Sequence, residues 1–151
     1  MNLDFEIDNI RFNARASAII YSKDKTKVLL FKIVDRDYFM LPGGRIEIYE
    51  DSLNAVKREV KEETGFNLEF ELCSIQENFV EKDNKKNMQY FFCYKSIYNE
   101  DIIQEEFICN DNKDQIFYWV NINDLQNYKL LSNSTYELIK NSENIKHIIE
   151  K

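Results

Sequence analysis

One stretch of the chain reads Gly44-Arg-Ile-Glu-Ile-Tyr-Glu50-Asp-Ser-Leu-Asn-Ala-Val-Lys-Arg58-Glu59-Val60-Lys-Glu62-Glu63-Thr-Gly65-Phe66. Its second half predicts a helix, because Asp51 or Ser52 can cap the start and Gly65 suits the left-handed residue that ends a helix. We expect this helix to run to about Glu63. Its first half follows Pro42-Gly43, which is typical of a loop.

Three glutamates of this helix, spaced i, i+3 and i+4, are predicted to share one edge: Glu59, Glu62 and Glu63. A buried stripe adjoins them, formed by Leu53, Val56 and Val60. Like charges at this spacing destabilise an isolated helix by roughly 0.2–0.5 kcal/mol per pair, so a cation between them is indicated. Hard divalent ions take oxygen ligands and keep positions open for water and phosphates. Such an ion polarises a phosphoryl oxygen and lowers the pKa of the attacking water.

The loop before the helix offers two further features. Gly43 and Gly44 allow the backbone to approach an oxygen or an ion closely. Glu50 lies eight residues before Arg58, and a bidentate pair between them would tie the loop to the helix and orient Glu59. We therefore assign Glu50 and Arg58 to supporting the site more than to the chemistry.

The segment resembles the Nudix box, Gly-x5-Glu-x7-Arg-Glu-(apolar)-x-Glu-Glu-x-Gly-(apolar). Every fixed position matches: Gly44, Glu50, Arg58, Glu59, Val60, Glu62, Glu63, Gly65 and Phe66. Seven fixed identities arise by chance at a given start with a probability on the order of 10⁻⁸. One departure is Tyr49, where many members of the family carry glycine.

This resemblance implies a metal-dependent pyrophosphohydrolase. It implies that Glu59, Glu62 and Glu63 bind Mg²⁺ or Mn²⁺ and act in catalysis. It also implies that the Gly44 carbonyl completes the coordination shell, with Glu47 as a further acid close by.

The family often draws an extra acid or general base from a loop near the end of the domain. Glu105 and Glu106 occupy such a stretch in this sequence. An ordinary exposed loop explains these two residues equally well.

The fold implied by the resemblance is α+β, an α/β/α sandwich with a mixed central sheet and helices on its faces. One domain is expected over residues 1–151. Strands are predicted at Ala16–Tyr21, Lys27–Val34, Tyr38–Leu41, Leu68–Val80, Met88–Ile97 and Ile116–Val120. One helical turn is predicted at Asp124–Tyr128. A capping box at Ser134–Glu137 predicts a closing helix to about Ile149, which would carry His147 on its surface.

The net charge of −7 argues against a nucleic-acid polymer as partner. No apolar run approaches membrane-spanning length, and the acidic amino terminus does not resemble a signal peptide. Cys73, Cys93 and Cys109 lack metal or disulfide spacing, so free thiols in a reducing cytoplasm are expected.

Two functional hypotheses follow. In the first, the chain hydrolyses a nucleoside diphosphate linked to another group, with a nucleoside triphosphate (including an oxidised one) ranked ahead of ADP-ribose. The ranking rests on the proline that some ADP-ribose-cleaving relatives carry beyond the box, since Pro42 is the only proline here. In the second, the same fold senses a nucleotide without cutting it, although the intact box favours the enzyme. Aromatic residues on the strands leave room for a homodimer interface.

Overall fold

The computed structural model describes the backbone of residues 1–151 and the side chains of all of them except Asn133. Its helices are α1 (Ser52–Thr64), a 3-10 helix (Ile122–Asn127) and α2 (Asn133–Lys140). Its strands are β1 (Asp4–Ile7), β2 (Ile10–Ser22), β3 (Lys27–Ile33), β4 (Gly43–Arg45), β5 (Glu71–Lys82), β6 (Lys85–Tyr98), β7 (Glu106–Ile108), β8 (Gln115–Asn121) and β9 (Lys146–Glu150).

The strands form one mixed sheet with the order β7-β8-β3-β2-β6-β5-β9. Strand β2 runs parallel to β6 along its whole length. Its other edge is shared by β1, β4 and β3, which pair with successive parts of it. The long strand β2 is therefore central to the sheet. It pairs with β6 on one edge and with β1, β4 and β3 at different points along the other edge.

Helix α1 packs on one face of the sheet, over β2, β4 and the adjoining part of β6. Ala14, Ala16 and Ala18 of β2 lie beneath it, and these small side chains let the helix approach closely. Val56 and Val60 of the predicted stripe are fully buried here, which stabilises the fold by roughly 1.5–3 kcal/mol for each side chain. Helix α2 and the 3-10 helix cover part of the opposite face. The structure thus confirms the expected mixed sheet flanked by helices.

The ends of α1 agree with the sequence prediction. The Asp51 side chain accepts a hydrogen bond of 2.8 Å from the backbone amide of Asn54. Gly65 ends the helix in a left-handed conformation, with φ of 78°. The capping residue Asp51 and the terminal Gly65 were therefore enough to predict both ends of α1 to within a residue or two.

The prediction of a closing helix to Ile149 is wrong beyond Lys140, because α2 ends there and β9 follows. Ser134 does not cap the helix; its hydroxyl donates to the Gln76 side chain at 3.0 Å. The open edge of β5 offers backbone partners that a continued helix would leave unused, and β9 pairs there in parallel. His147 accordingly lies on a strand, 2.6 Å from a carboxylate oxygen of Glu77.

The strand predicted at Tyr38–Leu41 is also absent, since only isolated bridges form there. Phe39 bridges to Leu130, and Met40 bridges to Phe31. Regular strand structure begins at β4, directly after Pro42, because proline has no backbone amide to donate to a neighbouring strand.

A bulge interrupts the pairing of β5 with β6 between Leu72 and Ser74. Because one extra residue is inserted, side chains after the bulge have exchanged faces relative to a regular ladder. Ser74, Gln76 and Asn78 consequently lie on the face away from α1.

No helix in the described chain is both long enough and apolar enough to cross a membrane.

Candidate active site

Two glutamates of α1 lie against the glycines of β4. A methyl group built on Gly44 would come within 2.4 Å of the Glu59 carboxylate, so only glycine leaves space for that group. The Gly43 amide faces an oxygen of Glu63 at 3.4 Å. The absence of side chains in this short strand therefore brings two carboxylates next to backbone.

Arg58 connects the helix to the loop before it. Its Nε and Nη2 donate to the two oxygens of Glu50 at 2.8 Å and 2.9 Å, as the eight-residue spacing predicted. Its Nη1 donates to Glu59 at 2.8 Å and faces Glu62 at 3.5 Å. Its Nη2 also donates to the carbonyl of Arg45 at 3.1 Å. One guanidinium thus fixes the loop, the helix and Glu59 relative to one another.

Glu59 and Glu63 sit in surroundings that oppose ionisation. Glu63 is only 6% exposed; burial, and then the charge of Glu59, raise its pKa to about 8. Burial also raises the pKa of Glu59, and this effect outweighs the contact with Arg58. Arg58 compensates the charge of Glu59, whereas the buried Glu63 has no ion pair among the described residues, so its ionised form is stabilised when a cation enters.

The donor set fits a divalent metal in kind. Glu59, Glu63 and the half-exposed Glu62 offer hard oxygen ligands, and the Gly44 backbone lies directly beside Glu59. In the conformation described, no three His, Cys, Asp or Glu side chains converge on one point among the described residues. Glu62 is the member that stands apart, since its carboxylate is turned toward Arg58.

Arg15 of β2 is a site residue that the sequence analysis missed. Its guanidinium lies within the electrostatic reach of Glu59 and Glu63, and burial, followed by the repulsion of Arg45, lowers its pKa. It has no ion pair or side-chain hydrogen bond with another described residue. The signal in the sequence was an arginine flanked by Ala14 and Ala16 on β2, the strand that pairs with Gly43 and Gly44 of β4.

The face of the sheet that carries Arg15 is polar. Four amide side chains from β2, β5 and β6, here called the amide row, lie side by side: Asn13, Gln76, Asn78 and Gln89. Gln89 donates to Asn13 at 3.2 Å, and Gln76 donates to Asn78 at 2.8 Å. Asn13 and Gln76 are buried.

Phe91 and Ser74 lie next to the amide row on the same face of the sheet. Phe91 stands between Arg15 and Gln76 in the strand register, with its ring partly exposed. Ser74 is buried, and its hydroxyl has no hydrogen-bond partner among the described residues. The face therefore combines hydrogen-bonding groups with one aromatic ring beside a cation.

The acids expected from the late loop lie elsewhere. Glu105 pairs with Lys27, and Glu106 lies on β7, where it lines a cleft of about 810 Å³ with Trp119. The structure brings neither to the glutamates of α1. Glu47 is closer, since its backbone amide donates to Glu50 at 2.9 Å.

Asp111 is the acid that the structure does bring toward the site. Its charge contributes to the raised pKa of both Glu59 and Glu63. The preceding residue, Asn110, anchors this loop by donating its backbone amide to the Glu63 carbonyl at 2.8 Å. No local pattern distinguishes Asp111 from the other acids of that stretch, so the sequence alone could not select it.

Comparison with known proteins finds one family whose model matches most of this chain. Residues 11–141 match the family model described as the NUDIX domain. A putative nudix hydrolase 1 from Caenorhabditis elegans is 40% identical over 73 residues, covering 46% of this chain and 20% of that protein. An RNA pyrophosphohydrolase from Ruthia magnifica subsp. Calyptogena magnifica is 41% identical over 69 residues, covering 46% of this chain and 37% of that protein. The matched segments span well under half the length of either relative.

The crystal structure of the MutT protein from Bacillus halodurans has a similar architecture. The TM-score is 0.74 at 20% sequence identity, and the match covers 91% of this chain and 89% of that one. At this identity the similarity establishes the fold and leaves substrate recognition to the residues of this chain.

Proposed function

The chain belongs to the Nudix family, and we propose that it is a divalent-metal-dependent pyrophosphohydrolase that cleaves a phosphoanhydride bond in a nucleoside diphosphate linked to another group. The observation that carries this proposal is the placement of two carboxylates beside glycine backbone, with the partly buried Glu59 against Gly44 and the buried Glu63 against Gly43. Burying two like charges together is unfavourable, and a bound cation is the simplest compensation.

Glu59, Glu62 and Glu63 would hold the ion, Mg²⁺ or Mn²⁺, with the Gly44 carbonyl as a further ligand. A bound ion of this kind polarises a phosphoryl oxygen and lowers the pKa of a water molecule. Arg58 keeps Glu59 in place through its bidentate contact with Glu50. Catalysis then consists mainly of positioning and charge neutralisation.

Arg15 would bind a phosphate of the substrate. It is a cation without an ion pair among the described residues, and its charge interacts with those of Glu59 and Glu63. A guanidinium matches two oxygens of a phosphate. Because the chain is acidic overall, such a local cation matters for holding an anionic substrate.

The amide row and Phe91 would receive the nucleobase. Amide side chains supply both donors and acceptors for the edge of a base, and the ring of Phe91 offers a stacking surface. A nucleoside triphosphate, including an oxidised one, is ranked first and ADP-ribose second.

Glu59 or Glu63 would deprotonate the attacking water, with Asp111 as the loop acid in place of Glu105 and Glu106.

The test is hydrolysis of a panel in excess Mg²⁺ or Mn²⁺ with both products identified. The panel contains nucleoside triphosphates, oxidised nucleoside triphosphates, ADP-ribose and a 5′-triphosphorylated RNA oligomer. The Glu63→Gln variant should lose at least about 100-fold in kcat/KM while its circular dichroism is unchanged. Glu69→Gln is the matched control, since the Glu69 side chain is 95% exposed. Equal rates for wild type and Glu63→Gln on every cleaved substrate would rule out this metal site.

The alternative is a nucleotide sensor with the same fold. It predicts tight, metal-dependent binding of a nucleotide that is recovered uncut. Hydrolysis of that nucleotide by the wild type, and not by Glu63→Gln, decides for the enzyme.

Two further proposals concern the cellular location and the oligomeric state of the protein. We infer a cytoplasmic location from the three free, buried cysteines, which suit a reducing compartment. We also propose that the chain forms a homodimer.

A further inference from the structure

The half of the sheet that extends beyond α1 has one face covered by no helix of the described chain. Helix α1 packs on β2, β4 and the near part of β6. On the same face, the register places side chains of β1, β2, β6, β5 and β9 next to one another. Five strands therefore contribute to one continuous, uncovered surface.

This surface is apolar. We call it the apolar platform and define it by its five exposed side chains: Phe5, Ile7, Ile10, Phe79 and Ile149. The rings of Phe5 and Phe12 lie 5.4 Å apart, and those of Phe12 and Tyr90 lie 5.4 Å apart in an edge-to-face contact. The exposed residues thus surround an ordered aromatic centre and do not stand singly.

The exposed apolar area lies in the upper part of the range found for the largest patch on a monomer. The five side chains are between 36% and 61% exposed. With roughly 200 Å² for a free side chain of this size, they expose on the order of 500 Å² of apolar surface. The largest patch on an ordinary monomer is about 300–600 Å² and is often functional. A stable interface buries about 800 Å² on each partner, so the platform supplies more than half of one.

We propose that the apolar platform is the interface through which two copies of this chain pair face to face. The charges on the surface favour a second copy as the occupant. The same face carries Glu77, Glu81, Lys86 and His147, and His147 contacts Glu77 directly. The platform is nearly balanced in charge although the chain carries −7. Two acidic copies therefore meet here with less repulsion than at a face that carries more of the chain's negative charge.

A two-fold pairing would also explain why the two faces of these strands differ. The opposite face of β2, β5 and β6 carries the amide row and Arg15, whereas the platform face carries exposed apolar side chains with a few charged groups between them. A face-to-face pair buries the apolar side and leaves the polar side open to small molecules. The proposal does not depend on the chemistry assigned to the glutamates.

The experiment measures the mass of the purified chain by sedimentation velocity between about 1 and 100 μM. The wild type should sediment as a dimer of two 18.2 kDa chains, and Ile7→Glu and Phe79→Glu should each sediment as the monomer. Ile108→Glu is the matched control, since Ile108 and Ile7 are equally exposed, both at 61%, and Ile108 lies on β7 at the far end of the sheet. It should remain dimeric. Circular dichroism on each variant shows that the chain is still folded, which is expected because the replaced side chains are exposed.

A wild type that is monomeric up to about 100 μM would overturn the proposal, whatever else binds the platform. So would a dimer that survives both Ile7→Glu and Phe79→Glu, or one that Ile108→Glu dissociates equally well.

Discussion

Two adjacent glycines in β4 give a paired prediction, because a methyl group would meet different neighbours at each. In Gly44→Ala the new carbon would lie 2.4 Å from the Glu59 carboxylate, which is the far end of a flexible side chain. In Gly43→Ala it would lie 2.2 Å from the Ala16 carbonyl oxygen, which is fixed backbone, and φ is 142°. The first change displaces a functional group, and the second displaces the strand.

The expected magnitudes differ accordingly. In Gly44→Ala the carboxylate must move by about 1 Å to reach ordinary contact, and a displacement of this size at a reacting centre lowers the rate by about 100-fold. The free energy of unfolding of the metal-free protein should change by less than about 1 kcal/mol, since no backbone is forced to move. In Gly43→Ala strain at positive φ and the backbone clash should lower it by about 2–6 kcal/mol.

The assay combines urea unfolding of both metal-free variants with kcat/KM and calorimetric titration of Mn²⁺. Gly44→Ala should unfold like the wild type, bind the ion more weakly and turn over slowly. Wild-type kcat/KM in Gly44→Ala would refute the placement of Glu59 against this glycine. Wild-type stability in Gly43→Ala would refute the close packing of β4 on β2.

Three further predictions concern single side chains. Arg15→Ala should lower kcat/KM by about 10–100-fold in steady-state assays, the loss of one charge-assisted contact, and Arg15→Lys should recover part of it. In the metal-free protein the pKa of Glu63 is raised from 4.5 to about 8, so the folded state holds a proton that the unfolded state releases. The free energy of unfolding should therefore fall as pH rises from about 4.5 to 8, and Glu63→Gln should reduce this slope in urea titrations at several pH values, with the remainder due to Glu59, whose pKa is also raised by burial. Tyr49 is fully exposed, and its φ is 68°. Tyr49→Gly should therefore raise the free energy of unfolding by about 0.5–1 kcal/mol, which is the backbone strain relieved minus the conformational entropy that glycine loses on folding. An unchanged or lower free energy of unfolding would show that Tyr49 is not strained.

Local signals in the sequence predicted the elements whose stability is local. Helix α1 was placed correctly because Asp51, the apolar stripe and Gly65 act within the helix itself. The bidentate contact of Glu50 with Arg58 followed from spacing for the same reason. The strands predicted at Ala16–Tyr21 and Lys27–Val34 likewise correspond to parts of β2 and to β3.

The errors arose where partners distant in sequence decide the outcome. The motif at Ser134 permits a helix, but whether the chain continues as helix or strand depends on the open edge of β5, some 70 residues earlier. Arg15 and the amide row come together on one face only when β2, β5 and β6 align, and that register is not encoded in any one strand. Asp111 was not separable from Glu105 and Glu106 because all three are acids in a polar stretch, and only the anchoring of Asn110 to α1 selects between them.

The bulge at Leu72 and Ser74 gives this sheet an unusual sensitivity to insertions and deletions. If Cys73 paired in register with Cys93, Ile75 would lie on the face of the amide row and Gln76 would lie on the face of the platform. A whole half-strand would exchange its polar and apolar sides without a single substitution. A one-residue insertion or deletion in β5 should therefore disturb this sheet more than a substitution on either of its faces.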